Sequence, residues 1–167
     1  MNFIVASKEQ LPIVRELALK IWHVTYVNVI SLDQIDYMLQ IMYSIESLEK
    51  QLQTNKIFLL VEEDNRFIGF ASYELNFENS VKTKIHKLYV LPEIQGKGIG
   101  RQMIDFIANI ALENQNPTLH LTVNKNNKAT DFYLKNGFEI MQKVVFDIGN
   151  GYVMDDYIME KTLKFTQ

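Results

Sequence analysis

The sequence contains no cysteine, three prolines and only seven glycines. The lack of cysteine excludes disulfides, thiolate metal sites and a cysteine nucleophile, and it is compatible with a reducing compartment. The sequence also lacks an apolar run of membrane-spanning length and a stretch typical of a secretory signal, so we expect a cytoplasmic protein with no membrane partner. A net charge of -3 and a pI near 5.6 argue against a nucleic-acid partner, which would require a basic face.

The order of hydrophobic patterns predicts an α/β fold made of one domain, residues 1–167. A chain of 167 residues, 47% of them hydrophobic, is long enough to bury one core. The predicted helices cover residues 11–25, 32–42, 44–52, 99–114 and 128–136, and the predicted strands cover residues 2–6, 56–63, 66–77, 84–90, 118–123 and two stretches around 148–151. Antiparallel strands before a strand–helix–strand–helix unit predict a mixed central sheet flanked by helices on both faces.

Glycines are concentrated in one segment, Gln95-Gly96-Lys97-Gly98-Ile99-Gly100-Arg101, which holds three of the seven. The segment lies between a predicted strand and a predicted helix. Glycine lets the backbone turn tightly and approach a ligand closely, because it has no Cβ. The N–H groups of such a turn and the dipole of the following helix favour an anion, to which Lys97 and Arg101 add positive charge. The pattern predicts a phosphate-binding loop, and a plain structural turn is the alternative.

The spacing of these glycines excludes two familiar nucleotide-binding loops. A P-loop needs Gly-Lys followed by serine or threonine, whose hydroxyl holds magnesium, whereas Gly96-Lys97 is followed by Gly98. A dinucleotide fingerprint needs Gly-x-Gly-x-x-Gly, usually in an N-terminal βαβ unit, whereas these glycines alternate and lie past the middle of the chain. Another class of phosphate ligand is therefore indicated.

Two motifs in the expected order resemble the GNAT superfamily of N-acetyltransferases. Gln95-x-x-Gly98-x-Gly100, preceded by Leu88-Tyr89-Val90-x-Pro92, is similar to the motif with which that family binds the pyrophosphate of acetyl-CoA. Downstream, a predicted strand is followed by Asn126-x-x-Ala129-x-x-Phe132-Tyr133-x-x-x-Gly137-Phe138. The resemblance spans roughly the whole chain. It implies a GNAT-like fold and an acyltransferase that moves an acetyl group from acetyl-CoA to a primary amine.

The resemblance also implies a set of acetyl-CoA contacts. The backbone of residues 88–90 would hold the pantetheine arm, with one N–H facing the thioester carbonyl, and the amides of residues 96–101 would bind the pyrophosphate. The implied cofactor-binding residues are Leu88, Tyr89, Val90, Gln95, Gly96, Lys97, Gly98, Ile99, Gly100, Arg101, Asn126 and Lys135. For Asn126, which would bond the pantetheine amides, a helix cap is the alternative.

Tyr133 is the predicted general acid. The resemblance places a tyrosine at this position near the CoA sulfur, and a phenol with a pKa of ~10 can give a proton to a thiolate leaving group. Packing as an aromatic beside Phe132 is the alternative for this residue.

The general base is where the sequence departs from the family pattern. Many relatives carry glutamate four residues before the position of Leu88, and this chain has Lys84 there. His86 is the predicted base in its place, because an imidazole with a pKa of ~6.5 can accept a proton from an ammonium at neutral pH. Strand alternation predicts one face that holds Lys84, His86, Leu88 and Val90. A polar sheet residue is the alternative for His86.

Aromatic and acidic side chains in the amino-terminal helices and the last hairpin are predicted to bind the acceptor. Aromatic faces combined with negative charge suit a cationic amine. The predicted substrate-binding residues are Trp22, Tyr26, Tyr37 and Asp155, and further acids are Asp33, Asp36, Glu62 and Asp156. The alternative is that the aromatics lie in the core and the acids on the solvated surface.

Three segments resemble, more loosely, the bacterial spermidine/spermine N-acetyltransferase branch. They are Trp22-x-x-Thr25-Tyr26, residues 47–52 and residues 155–163, and they imply a polyamine acceptor. A protein or peptide N-acetyltransferase and a sensor that binds acetyl-CoA without turnover are the alternatives. The family also implies a homodimer. No metal is expected, because His23 and His120 have no partner at metal-ligand spacing.

Overall fold

The computed structural model describes residues 1–165. Its strands are β1 (Asn2–Val5), β2 (Lys56–Glu63), β3 (Arg66–Glu74), β4 (Lys82–Val90), β5 (Thr118–Asn124), β6 (Glu139–Gly149) and β7 (Tyr152–Thr162), and its helices are α1 (Leu11–Thr25), α2 (Leu32–Tyr43), α3 (Ile45–Gln53), α4 (Ile99–Glu113) and α5 (Ala129–Lys135). No helix in this part of the chain combines the length and the apolar character needed to cross a membrane.

The strands form one seven-stranded sheet in the order β1-β2-β3-β4-β5-β7-β6. The pairing of β4 with β5 is parallel, and every other pairing between neighbours is antiparallel. Helix α4 is the crossover that a parallel pair requires. The predicted mixed sheet is therefore confirmed.

Local signals fix the helix starts and the hairpins. Ser31 Oγ accepts a hydrogen bond from the Gln34 N–H at the start of α2, and Ser44 Oγ does the same for the Ser47 N–H at the start of α3. These caps satisfy N–H groups that have no partner inside the helix. The β2–β3 and β6–β7 hairpins turn through Asp64-Asn65 and Asn150-Gly151, and all of these turn residues have positive φ. Two-residue hairpin turns favour this conformation because it matches the strand twist.

The helices bury their apolar faces on opposite sides of the sheet, as predicted. One core contains Leu11, Ile21 and Trp22 of α1 with residues of α2 and α3, packed on Phe58 and Phe70. The other core contains residues of α4 and α5, packed on β4, β5 and β7. The sheet thus separates a face covered by α1–α3 from a face covered by α4 and α5.

The third strand is shorter than the predicted 66–77. It ends at Glu74, and the next strand begins at Lys82. Between them Asn76, Glu78 and Asn79 have φ of 53°, 53° and 56°. Left-handed residues of this kind cannot continue a strand, and asparagine adopts the conformation more readily than most residues. The chain therefore turns earlier than its hydrophobicity suggests.

Strand β4 contains a β-bulge at His86. Ser72 of β3 pairs with Lys87, whereas Tyr73 pairs with Ile85, so His86 is an extra residue on β4. An extra residue interrupts the two-residue alternation of side chains and re-aims those beyond it.

The bulge makes the predicted common face of β4 wrong. Leu88 and Val90 belong to the core under α4. Lys84 and His86 instead contact the ring of Phe77, outside that core. Lys84 and His86 thus lie on the opposite face of the sheet from Leu88 and Val90.

Candidate functional site

Strands β4 and β5 separate in the middle of the sheet. Ile85 pairs with Leu121 in the last parallel register pair, although β4 continues to Val90 and β5 to Asn124. Beyond that pair the two strand edges face each other across a wedge-shaped opening. Strand edges carry N–H and C=O groups that are ready to bond an extended ligand.

The β4 edge of the wedge presents backbone N–H groups to a ligand. The Leu91 N–H donates to the Ile68 carbonyl on the β3 side. Because successive N–H groups of a strand point in opposite directions, the N–H groups of Val90 and Leu88 point toward the wedge. The edge therefore suits the amide-containing arm of pantetheine, as expected for the backbone of these residues.

The glycine loop lies at the end of β4 and opens helix α4. Gly96 and Gly98 have φ of +85° and +78°, and a Cβ built on either meets nothing within 4 Å. Gly98 is the N-cap of α4, whose first turn, including Ile99 and Arg101, contains no acidic residue. Free N–H groups at a helix start with an exposed lysine, Lys97, beside them form a cradle for a pyrophosphate.

Two residues of the predicted cofactor set have structural contacts of their own. Gln95 Nε2 donates to the Val90 carbonyl at 3.1 Å, which holds the loop against the end of β4. At Gly100 a Cβ would lie 3.0 Å from Cζ of Phe132. This glycine therefore allows α4 and α5 to pack closely, a role that the glycine spacing did not predict.

Asn127, and not Asn126, accepts a hydrogen bond from the first residue of helix α5. Asn127 Oδ1 accepts a hydrogen bond from the Ala129 N–H at 2.9 Å. The side chain of Asn126 is exposed beside the wedge, and Lys135 is exposed in the last turn of α5. Capping by Asn126 is thus wrong, and its amide stays a predicted contact for pantetheine.

Tyr133 is held rigidly at the start of the opening. Its ring packs edge-on against Phe132 and Phe138, with centroids 5.2 and 5.5 Å away, and it is 8% exposed. Burial raises the pKa of the Tyr133 hydroxyl above its ordinary value, and the neighbouring Tyr26 adds to the shift. The hydroxyl therefore keeps its proton at neutral pH, and the same shift makes it a weaker acid than an exposed tyrosine.

A pair of tyrosine hydroxyls bridges the two sides of the wedge. The hydroxyl of Tyr26, the residue that ends α1, lies 3.0 Å from that of Tyr89 on β4 and 3.5 Å from Asn127 Nδ2. Burial raises the pKa of both phenols. Tyr89, predicted through its backbone, thus also carries its side chain to the acceptor side of the site.

His86 is poorly suited to act as the base. Its Nε2 lies 2.8 Å from Glu74 Oε2, and its ring contacts Phe77 edge-on. Burial, followed by the positive charges of Lys84 and Lys87, lowers the pKa of His86 to about 3. The strength of a general base falls with its pKa, so the imidazole would accept a proton weakly from an ammonium.

The other predicted acceptor residues are engaged elsewhere. Trp22 is 2% exposed inside the core under α1–α3. The Tyr37 hydroxyl donates to the Ile148 carbonyl at 2.9 Å, which ties α2 to the last hairpin. Asp155 forms an ion pair with Lys125. Of the four predicted substrate-binding residues, Tyr26 is the one that the structure brings to the wedge.

Asp156 is the residue whose place the sequence did not reveal. It lies on β7, pairs with Asn124 at the end of β5 and is 6% exposed. Burial, followed by the negative charge of Asp155, raises its pKa to about 6, and the positive charge of Lys84 opposes the shift. In the sequence Asp156 was only one of several acids. Its place in the site depends on pairing between strands that are distant in the sequence.

The site contains no evident metal centre. Among residues 1–165, no group of three or more histidine, cysteine, aspartate or glutamate side chains is arranged to hold a metal ion. Tyr133 and Asp156 are side chains beside the wedge that could move a proton, and the backbone N–H groups of β4 and the glycine loop could bind a ligand.

Comparisons with known proteins agree with this geometry. A family model described as an acetyltransferase (GNAT) domain matches residues 26–160. The spermidine N(1)-acetyltransferase of Thermoplasma acidophilum is 29% identical over 161 residues, which cover 93% of this chain and 92% of that protein. The crystal structure of the PaiA N-acetyltransferase from Thermoplasma acidophilum in complex with coenzyme A gives a TM-score of 0.79 at 27% identity, covering 96% of this chain and 98% of that one.

Other relatives match over a shorter part. An uncharacterized N-acetyltransferase of Archaeoglobus fulgidus is 34% identical over 80 residues, which are 45% of this chain and 54% of that protein. The chain therefore spans about half the length of that curated relative.

Proposed function

The chain belongs to the GNAT acetyltransferase family, and we propose that it transfers the acetyl group of acetyl-CoA to a primary amine, with a polyamine as the acceptor. The observation that carries the proposal is the separation of β4 from β5 after the Ile85–Leu121 pair. The glycine loop opens at the end of the same strand, so one extended ligand would contact both. The similarity to a spermidine N(1)-acetyltransferase over 93% of the chain supports the polyamine acceptor.

The described residues bind the acetyl donor and protonate its leaving group. The N–H groups of Leu88 and Val90 bind the pantetheine arm, and those at the start of α4 bind the pyrophosphate. Acetyl-CoA supplies the activated acetyl group as a thioester. Positioning the thioester beside the amine converts the reaction into an effectively unimolecular step. Tyr133 then protonates the departing sulfur.

The acceptor side is formed by the face of the sheet next to α1 and α2. Tyr26 and Tyr89 line it beside the wedge. Glu74, Lys84 and Glu160 are partly buried on the same face. A floor with both signs of charge favours an elongated polar amine over an apolar one. The distal amines of a polyamine would then contact carboxylates beyond the reacting centre.

The experiment that tests the proposal is thiol release from acetyl-CoA, followed spectroscopically with a panel of acceptors. The panel contains spermidine, spermine, amino acids, aminoglycosides and short peptides. We expect release with spermidine and spermine. Gly98→Asp is the control, since it puts a side chain and a negative charge in the anion cradle and should abolish both release and binding of coenzyme A.

The other outcomes are informative. Release with peptides alone would replace the polyamine acceptor with a protein or peptide. Tight binding of acetyl-CoA without release for any acceptor would overturn the transferase and favour a sensor. If spermidine is acetylated, mass spectrometry of the product will identify which nitrogen carries the acetyl group.

A further inference from the structure

Asp156 stands at the mouth of the wedge. It pairs with Asn124 on β5 and with Val144 on β6. Asn124 is three residues beyond Leu121, where the β4–β5 pairing ends, so Asp156 lies about 10 Å along the opening at ~3.3 Å per residue. The negative charge of Asp156 contributes to the raised pKa of Tyr26. The carboxylate therefore faces the same space as the tyrosine pair.

The carboxylate is buried without a partner. Asp156 is 6% exposed, and within residues 1–165 its Oδ1 atom is buried with no hydrogen-bond partner. Buried polar atoms are nearly always hydrogen-bonded, so this oxygen requires a partner other than the described side chains. A carboxylate is an acceptor only. The missing partner is accordingly a donor, and a cationic one is the best match.

The charged groups around Asp156 do not supply this donor. Asp155 is its neighbour on β7, but the carboxylate of Asp155 is paired with Lys125. Lys84 faces Asp156 from β4, and its ammonium lies over the ring of Phe77, 4.4 Å from the centroid. Tyr26 faces it from the end of α1. Within residues 1–165, no ion pair and no hydrogen bond engages the carboxylate of Asp156.

We propose that Asp156 binds the acceptor's ammonium group and is the general base that removes its proton. The inference rests on the proposed function. It supplies a general base for a chain that has Lys84 where many relatives carry glutamate. One proton passes from the ammonium to the Asp156 carboxylate, and the free amine then forms the C–N bond with the thioester carbon. The C–S bond breaks, and its electron pair leaves with the sulfur. The nitrogen loses a second proton and the thiolate gains one, so the products are the N-acetylamine, coenzyme A and the proton that Asp156 returns to solvent.

The test is Asp156→Asn, which keeps the shape of the side chain and removes its charge. We expect kcat/KM for spermidine at pH 7 to fall about 100-fold or more. Calorimetric binding of coenzyme A and the melting temperature report folding independently of activity, and we expect neither to fall. Glu139→Gln, an exposed carboxylate on β6, is the matched control and should keep wild-type kcat/KM.

The pH profile separates a base from a structural residue. In wild type, log kcat/KM should rise with slope one below an apparent pKa set by Asp156. In the Asn variant that limb should disappear, and the rate should instead rise with the fraction of free amine toward high pH. Lys84→Met removes a positive charge that faces Asp156, so the wild-type limb should move to higher pH.

The outcomes distinguish this inference from the proposed function. If wild type acetylates spermidine and Asp156→Asn retains more than a third of kcat/KM with the same acid limb, Asp156 is not the base, while the transferase stands. If wild type acetylates no amine in the panel, the proposed function fails and the role of Asp156 fails with it. Loss of coenzyme A binding in the Asn variant would assign Asp156 a structural role and would also overturn the inference.

Discussion

The hydroxyls of Tyr26 and Tyr89 lie 3.0 Å apart and connect the residue that ends helix α1 to strand β4 beside the wedge. Tyr26 is buried and Tyr89 is partly buried, and burial raises the pKa of both phenols. The contact therefore joins the acceptor wall to the strand that holds the acetyl donor. A shared hydrogen bond between two buried groups stabilises the fold only while both partners are present.

Removing one member of this pair should cost more than removing both. Tyr26→Phe leaves the Tyr89 hydroxyl without its partner, and we expect a loss of about 1–2 kcal/mol in the free energy of unfolding. The double variant with Tyr89→Phe should recover part of that loss. Urea denaturation of the four proteins in the cycle measures the coupling. Strictly additive losses would mean that the two hydroxyls do not interact in solution.

The backbone of Gly98 gives a second prediction. Its φ is +78°, and a Cβ there would have open space around it, so Gly98→Ala strains the loop without a steric clash. We expect a cost of about 1 kcal/mol and weaker binding of coenzyme A by calorimetry. Gly151→Ala is the matched control, because that hairpin glycine has the same φ of +78° and equally open surroundings. If both variants bind coenzyme A with equal affinity, the loop is not the anion cradle.

Tyr133→Phe isolates the acid step. The ring packs between Phe132 and Phe138, and phenylalanine preserves that packing, so the melting temperature should change little. Loss of the hydroxyl should lower kcat about 100-fold with little change in KM for the amine, measured by steady-state thiol release. Tyr152→Phe, on the last hairpin, is the control. A wild-type kcat in Tyr133→Phe would mean that solvent protonates the sulfur.

Structural features that depend on residues close together in the sequence were predictable from it. Ser44 caps α3, and Asp64-Asn65 forms the β2–β3 turn, because capping and turn preferences act within a few residues. The glycine segment was equally readable, since positive φ and a helix start are local properties. The predicted position of the anion cradle rests on these local signals alone.

The acceptor side was not predictable in the same way. The bulge at His86 shifts the register between β3 and β4, and strict alternation cannot detect an extra residue. The place of Asp156 depends on β7 pairing with Asn124, about thirty residues earlier in the chain. Trp22 was predicted to bind the acceptor, because it is an aromatic in a segment that resembles the polyamine branch. It lies in the core under α1–α3 instead.

The buried charge of Asp156 should make the protein less stable than its Asn variant at neutral pH. Burial raises the pKa of the folded carboxyl to about 6, whereas an unfolded aspartate titrates near about 4. The folded state therefore binds the proton more tightly, and the stability that this group contributes is fully present below about pH 4 and is lost as pH rises through about 6.

Asp156→Asn removes the cost of burying the charge, so its free energy of unfolding should exceed that of wild type by about 1 kcal/mol at pH 8. The difference should become small near pH 4, where the folded carboxyl is neutral, as the asparagine is at every pH. Urea denaturation of the two proteins at pH 4, 6 and 8 measures this, with Glu139→Gln as the control for an exposed carboxylate. A variant that is less stable at pH 8 would mean that the carboxylate already has a favourable partner in the free protein, and Asp156 would then not be waiting for an acceptor ammonium.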